Sequence, residues 1–163
     1  MASAGLVSLP AWANAWSPEK IHLPALFTPD EQEILAAVTD TIIPAGDAIG
    51  ALTVGTDKFL QKLLADCYEP EIQDNVRMQL NGLNMASDAL YGLPYSECDQ
   101  GQRQAILLTR ATSDDTAEKE FFELIKGETI RGFRTSREVL MKYYNYKVAP
   151  GHFYGCVDLN TTT

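Results

Sequence analysis

Three cysteines and two histidines are the residues of this 163-residue chain best suited to metal binding or nucleophilic chemistry. Cys67, Cys98 and Cys156 form no CxxC pair, no CxxCH haem motif and no zinc spacing. His22 and His152 are far apart, and neither belongs to an HExxH or ExxH helix, so a di-metal carboxylate bundle is not expected. The nucleotide and hydrolase signatures GxGxxG, GxxxxGK[ST] and GxSxG do not occur. Two acidic pairs invite a reading. Asp40 and Asp47 flank a loop, but no further ligands follow at a calcium-binding spacing. Asp114 and Asp115 are adjacent, and neighbours on a helix point apart, which makes a poor acid–base dyad. The expectation is a chain with no catalytic, cofactor-binding or metal-ligating residue of its own.

A different chemistry is suggested by residues 131–156, RGFRTSREVLMKYYNYKVAPGHFYGC. The chain carries 7 Lys/Arg against 19 Asp/Glu through Ile125, a net of −12, but 6 against 3 from Lys126 on, a net of +3. Segregated charge of this kind often serves a partner. The overall net charge of −9 argues against nucleic acid, since phosphate neutralisation needs a basic face. Arg131, Arg134 and Arg137 recur every three residues; on one helix they would share a face and could grip carboxylates in bidentate pairs. A solvated basic face is the plainer alternative. Phe133, Tyr143, Tyr144, Tyr146, Phe153 and Tyr154 interleave with these cations. Tyr143, Tyr144 and Tyr146 cannot all point inward from one short element, so at least one is expected on the surface. His152 reads as a packing or hydrogen-bonding residue. Residues 131–163 are therefore read as a docking arm, in which large rigid rings would fill partner pockets.

The elements that must carry these residues are helices. Residues 2–15, ASAGLVSLPAWANA, are uncharged and close on Ala13-Asn14-Ala15, a small-residue pattern of the kind signal peptidase accepts. The run is too short to span a bilayer. Residues 1–15 are read as the remnant of an export signal; an Ala-rich helix broken at Pro10 is the alternative. Export would place residues 16–163, a single domain, where disulfides are permitted. Thr28-Pro29-Asp30-Glu31 is a helix start, with Thr as cap, Pro at N1 and Glu closing a capping box. Ile34, Leu35, Val38 and Ile42 follow at helical spacing, and Pro44 ends the run. A second helix over 56–67 aligns Phe59, Leu60, Leu63, Leu64 and Cys67, which places Cys67 in the core as a buried thiol. A third opens at Pro70 with Ile72, Val76, Leu80, Leu83 and Leu90, and stops at Gly92 and Pro94. A fourth begins near 97–99 and carries Ile106, Leu107 and Arg110. A fifth runs from about Asp114 through Phe121, Phe122, Leu124, Ile125, Ile130 and Phe133, and a sixth covers 136–144. No segment alternates with period two. The fold class is all-α: a compact bundle of five to six helices with an irregular C-terminal arm.

An ordered set of pieces now lines up. It runs from Thr28-Pro29-Asp30-Glu31 into Asp40-Thr41-Ile42-Ile43-Pro44-Ala45, then Gly55 before Phe59, Leu60, Leu63 and Leu64. It continues through Phe121-Phe122-Glu123-Leu124, Gly132-Phe133 and Thr135-Ser136 to Tyr146, Pro150-Gly151, Tyr154 and Gly155-Cys156. Together these resemble the gluconate 2-dehydrogenase subunit 3 family, over roughly residues 26–158. The resemblance implies a small accessory subunit, not an enzyme by itself, that binds, stabilises and escorts a FAD-dependent dehydrogenase large subunit of the glucose-methanol-choline type. The large subunit would act on gluconate, glucose or glycosides. The FAD would sit in that large subunit, and a cytochrome c subunit carrying haem c could take the electrons. It also implies a periplasmic or cell-envelope location reached by twin-arginine export, with no transmembrane span in the mature chain. In one place the chain departs from the family pattern: no Arg-Arg pair precedes Ala2.

The resemblance implies partner contacts from Arg131, Phe133, Arg134, Arg137, Tyr143, Tyr144, Tyr146, His152, Phe153, Tyr154 and Cys156. In an exported protein an odd cysteine points to an intermolecular bridge, which makes Cys156 the candidate for a disulfide to the flavoprotein. A Cys98–Cys156 bridge or a free Cys156 thiol are the alternatives, and Cys98 could also pair with Cys67. Two other functions compete with the accessory subunit. One is a stand-alone helical binding protein of the envelope; the other is an independent sugar-acting enzyme.

Overall fold

The computed structural model describes residues 25–147, together with Ala149 and Gly151. Six helices follow in order: α1 (Pro29–Ile42), α2 (Thr56–Cys67), α3 (Pro70–Tyr91), α4 (Gln100–Ala111), α5 (Thr116–Thr135) and α6 (Arg137–Tyr143). Single 3-10 turns sit at Leu52–Val54 and Tyr95–Glu97. The described residues contain no strand, so the all-α expectation holds.

Local chemistry starts the helices. The Thr28 side chain accepts from the Glu31 N–H at 3.3 Å, and the Glu31 carboxylate accepts from the Thr28 N–H at 2.8 Å, which closes the expected capping box. Asp99 and Gln102 make a second box on α4, and Asp115 caps α5 through the Ala117 N–H at 2.8 Å. Caps of this kind contribute about 1 kcal/mol each. At the end of α3, Gly92 takes φ 67°, a left-handed conformation that suits glycine at a helix stop.

Packing is centred on α1, which touches α2, α3, α4 and α5. Its buried residues cover a broad face of the helix, Glu31, Ile34, Leu35, Ala37, Val38, Thr39 and Thr41, while Glu33, Ala36 and Asp40 lie on the other side. The threonines satisfy their hydroxyls by donating to the carbonyls one turn back, Leu35 at 2.7 Å and Ala37 at 2.6 Å. Around α1 lie Leu60 and Leu64 of α2, Val76, Leu80 and Leu83 of α3, Ile106 and Leu107 of α4, and Phe121 and Ile125 of α5. Between α3 and α4 the short turn drives Tyr95 into the core at 0 % exposure. Its N–H donates to Asn84 Oδ1 at 2.9 Å and its hydroxyl donates to the Arg103 carbonyl at 3.2 Å. Burial pushes this phenol up to about 12.

Charged side chains lock helices together at the core's edge. Glu31 reaches from α1 to Arg77 and to Asn81 of α3, the latter at 3.2 Å. Asp40 of α1 meets Arg103 of α4 at 2.8 Å. Arg110 of α4 pairs with Glu118 of α5.

Several expectations need correction. Cys67 is exposed, not a core thiol. It has the right angular position but lies in the last turn of α2, beyond the core, and Tyr68 packs over that end instead. Cys98 is buried with a free thiol, so Cys67 and Cys98 are not bridged. Burial, with Asp99 beside it, raises the Cys98 thiol. Ile72 and Leu90, at opposite ends of α3, overhang the core and are exposed. The expected helices at the C-terminal end are present: α5 carries the chain through Thr135, and α6 follows after Ser136 and runs to Tyr143.

Candidate partner-docking site

Besides its contacts with α1, α3 and α4, α5 packs closely against α2. Gly132 faces Phe59 and Thr56, and a Cβ at Gly132 would lie 2.5 Å from Phe59 Cδ1 and 3.2 Å from Thr56 Cγ2. A side chain at Gly132 would force the Phe59 ring to shift. Beside it, the Tyr68 hydroxyl donates to Glu128 Oε1 at 3.1 Å, Arg131 pairs with the same carboxylate, and the Arg131 guanidinium lies 5.8 Å from the Phe59 ring centre. Desolvation, then the Glu128 carboxylate, raises the Tyr68 phenol. This clamp leaves the opposite side of α5's last turns facing outward.

Ser136 then breaks the helix. It ends α5 and caps α6, with its hydroxyl donating to the Phe133 carbonyl at 2.7 Å and accepting from the Val139 N–H at 3.4 Å. Val139 anchors α6 in the interior. After α6, Asn145 adopts φ 47°, which asparagine tolerates, and the Tyr146 N–H turns back onto the Leu140 carbonyl at 3.0 Å.

The angle between the two helices opens a groove of about 450 Å³. From α5 it is lined by Gly127, Ile130, Arg131, Arg134 and Thr135; Leu140 of α6 and Tyr144 close it. Positions 127, 130, 131 and 134 follow the i, i+3, i+4, i+7 spacing of one helical stripe. The lining combines apolar side chains with two guanidinium groups and a phenol. Such a surface can bind an apolar side chain and a carboxylate together; it holds no nucleophile–base pair.

Of the residues expected from sequence, the structure brings Arg131, Arg134 and Tyr144 together here. Arg137 does not share their face, because the break at Ser136 makes it the first residue of α6. Phe133 is half-buried and lies outside the groove. Tyr143, Tyr144 and Tyr146 are exposed by 51 %, 57 % and 49 %, with Lys142 Nζ 5.4 Å from the Tyr143 ring centre. His152, Phe153, Tyr154 and Cys156 lie outside the described residues, as do residues 1–15. Sequence reading missed Gly127, Ile130, Thr135 and Leu140 as lining residues. The stripe spacing could have flagged the first two; Leu140 joins only because the chain bends at Ser136.

The acidic residues weighed for chemistry have structural partners or face solvent. Asp40 is held by Arg103, Asp115 caps α5, and Asp47 and Asp114 are exposed. Among the described residues no group of three His, Cys, Asp or Glu side chains could hold a metal ion. No described helix is long and apolar enough to cross a membrane.

These features define a small all-α bundle whose side-chain chemistry serves capping, helix locking and an open, cation-lined groove. A family model described as gluconate 2-dehydrogenase subunit 3 matches residues 29–151, and the chain belongs to that family. The family's name marks it as a subunit of a dehydrogenase complex. No curated protein and no solved structure matches the chain.

Proposed function

We propose that this chain is the non-catalytic small subunit of a FAD-dependent dehydrogenase acting on gluconate, glucose or a glycoside. It binds and stabilises the large subunit and escorts it out of the cytoplasm by the twin-arginine route. The flavin belongs to the large subunit, and haem c to a third, cytochrome subunit. The observation that carries the reading is the α5/α6 corner, where a basic, tyrosine-rich surface surrounds an open groove on an otherwise acidic chain of the family. Exposed tyrosines and arginines are the residue types that dominate binding energy at protein interfaces.

The test is co-expression of the full chain with its large subunit, measuring dehydrogenase export, FAD retention and dye-linked activity. The expected result is loss of exported, flavin-loaded enzyme when this chain is omitted. A large subunit that is exported, loaded and active alone overturns the reading. So does sugar oxidation by this chain without any flavoprotein.

A further inference from the structure

We infer that the α5/α6 groove receives an acidic segment of the large subunit, inserting an apolar side chain between the helices while a neighbouring carboxylate meets Arg134. This rests on the large-subunit reading above and names the chemistry of the contact.

Three observations converge. The first is shape: Gly127 leaves the groove open, since a Cβ there would meet nothing within 4 Å, and Ile130 and Leu140 line it with apolar surface. The second is the state of the two arginines. Arg131 is already matched by Glu128 and stacked on Phe59, so it is a fixed wall. Arg134 pairs with no carboxylate among the described residues, and its guanidinium is available for a bidentate contact. The third is charge distribution. The chain through Ile125 carries a net −12 and repels an acidic partner, whereas the part from Lys126 on carries +3. An acidic segment is therefore steered to this end and disfavoured elsewhere, which fixes the orientation of docking as well as its strength. Tyr144, beside the groove, supplies a rigid ring and a hydroxyl for the segment's backbone.

Two variants separate the groove from the fold. Gly127→Leu plugs the space while replacing a poor helix former with a good one, so α5 is kept. Arg134→Glu reverses the charge of the groove arginine that pairs with no carboxylate among the described residues, at an exposed position. Affinity of each full-length variant for the co-expressed large subunit is measured at low and high salt, after circular dichroism has shown unchanged helicity. Each is expected to weaken binding at least tenfold, and Arg134→Glu to flatten the salt dependence. A photo-crosslinker at Thr135 is expected to mark a large-subunit peptide carrying Asp or Glu beside an apolar residue. Wild-type affinity in both variants overturns the groove assignment while leaving the large-subunit reading intact, whereas a wild-type chain that binds no large subunit overturns both. Cross-links that go instead into a second copy of this chain, into its own C-terminal residues or into anionic phospholipid vesicles also overturn the assignment.

Discussion

Gly132 of α5 sits against the ring of Phe59 on α2 so closely that a Cβ would fall 2.5 Å from Cδ1 and 2.9 Å from Cε1. The contact brings Arg131 over the same ring and turns the stripe from Gly127 to Arg134 toward solvent. A single hydrogen in place of a side chain thus positions the groove, although Gly132 does not line it.

Gly132→Ala is therefore expected to destabilise the protein. Overpacking costs about 1–3 kcal/mol, and the better helix propensity of alanine returns about 1 kcal/mol, for a net loss of about 1 kcal/mol. Urea unfolding followed by circular dichroism measures it. An unchanged midpoint would mean that the half-exposed Phe59 ring simply swings aside.

Glu31 predicts the acid limb of stability. Burial raises its carboxyl, but the Thr28 N–H, Asn81 and Arg77 more than offset this and hold it below its ordinary 4.5. A depressed folded value means that the contribution is present above 4.5 and is lost as pH falls through the folded value. Glu31→Gln should remove that part of the acid dependence, and Glu31→Ala should cost about 1–3 kcal/mol through the lost cap and the lost contacts to Arg77 and Asn81. Unfolding curves between pH 3 and pH 7 decide the matter; identical pH slopes in wild type and Glu31→Gln would refute it.

Tyr95 predicts the alkaline limb with the opposite sign. Its folded value of about 12 lies above the ordinary 10, so its contribution is present below pH 10 and fades as pH rises from 10 toward 12. Absorbance at the tyrosinate band should show one tyrosine that ionises only with unfolding, and Tyr95→Phe should abolish that step. Loss of its hydrogen bond to the Arg103 carbonyl should cost about 1 kcal/mol. Ionisation of every tyrosine before the helices melt would count against a sealed Tyr95.

The interchain bridge proposed at Cys156 has a rival in Cys67, whose thiol is free and exposed, whereas Cys98 is shielded in the interior. Non-reducing gels of the co-purified complex should show a linked species that disappears in Cys156→Ser and persists in Cys67→Ser. The reverse pattern would move the bridge to α2; a fully free Cys156 in the assembled complex would remove it.

Much of the fold was legible because its signals are local. The Thr28–Glu31 box acts within one turn, and so do the Asp99 and Asp115 caps, so short stretches of chain predict where α1, α4 and α5 begin. Helical spacing likewise marked Leu35, Val38, Leu60, Leu64, Leu80 and Leu83 for the core. Spacing failed at helix ends. Cys67 and Leu90 lie beyond the neighbours that would cover them, and burial depends on those neighbours. It also passed over Thr39 and Thr41, polar residues that enter the core because their hydroxyls find carbonyls one turn back. Tyr95 escaped notice because a lone aromatic in a turn has no period to report.

By itself the sequence determined the helix starts, the apolar faces, the charge asymmetry and the family, all carried by residue type and order along the chain. Tertiary structure alone decided which basic residues act together. Arg131, Arg134 and Arg137 are evenly spaced in sequence, yet Ser136 separates the third from the other two and Gly132 sets the angle at which α5 presents them. A groove is empty space between two elements, and its shape follows from how closely their backbones approach and where the chain bends, neither of which is written in the spacing of one helix.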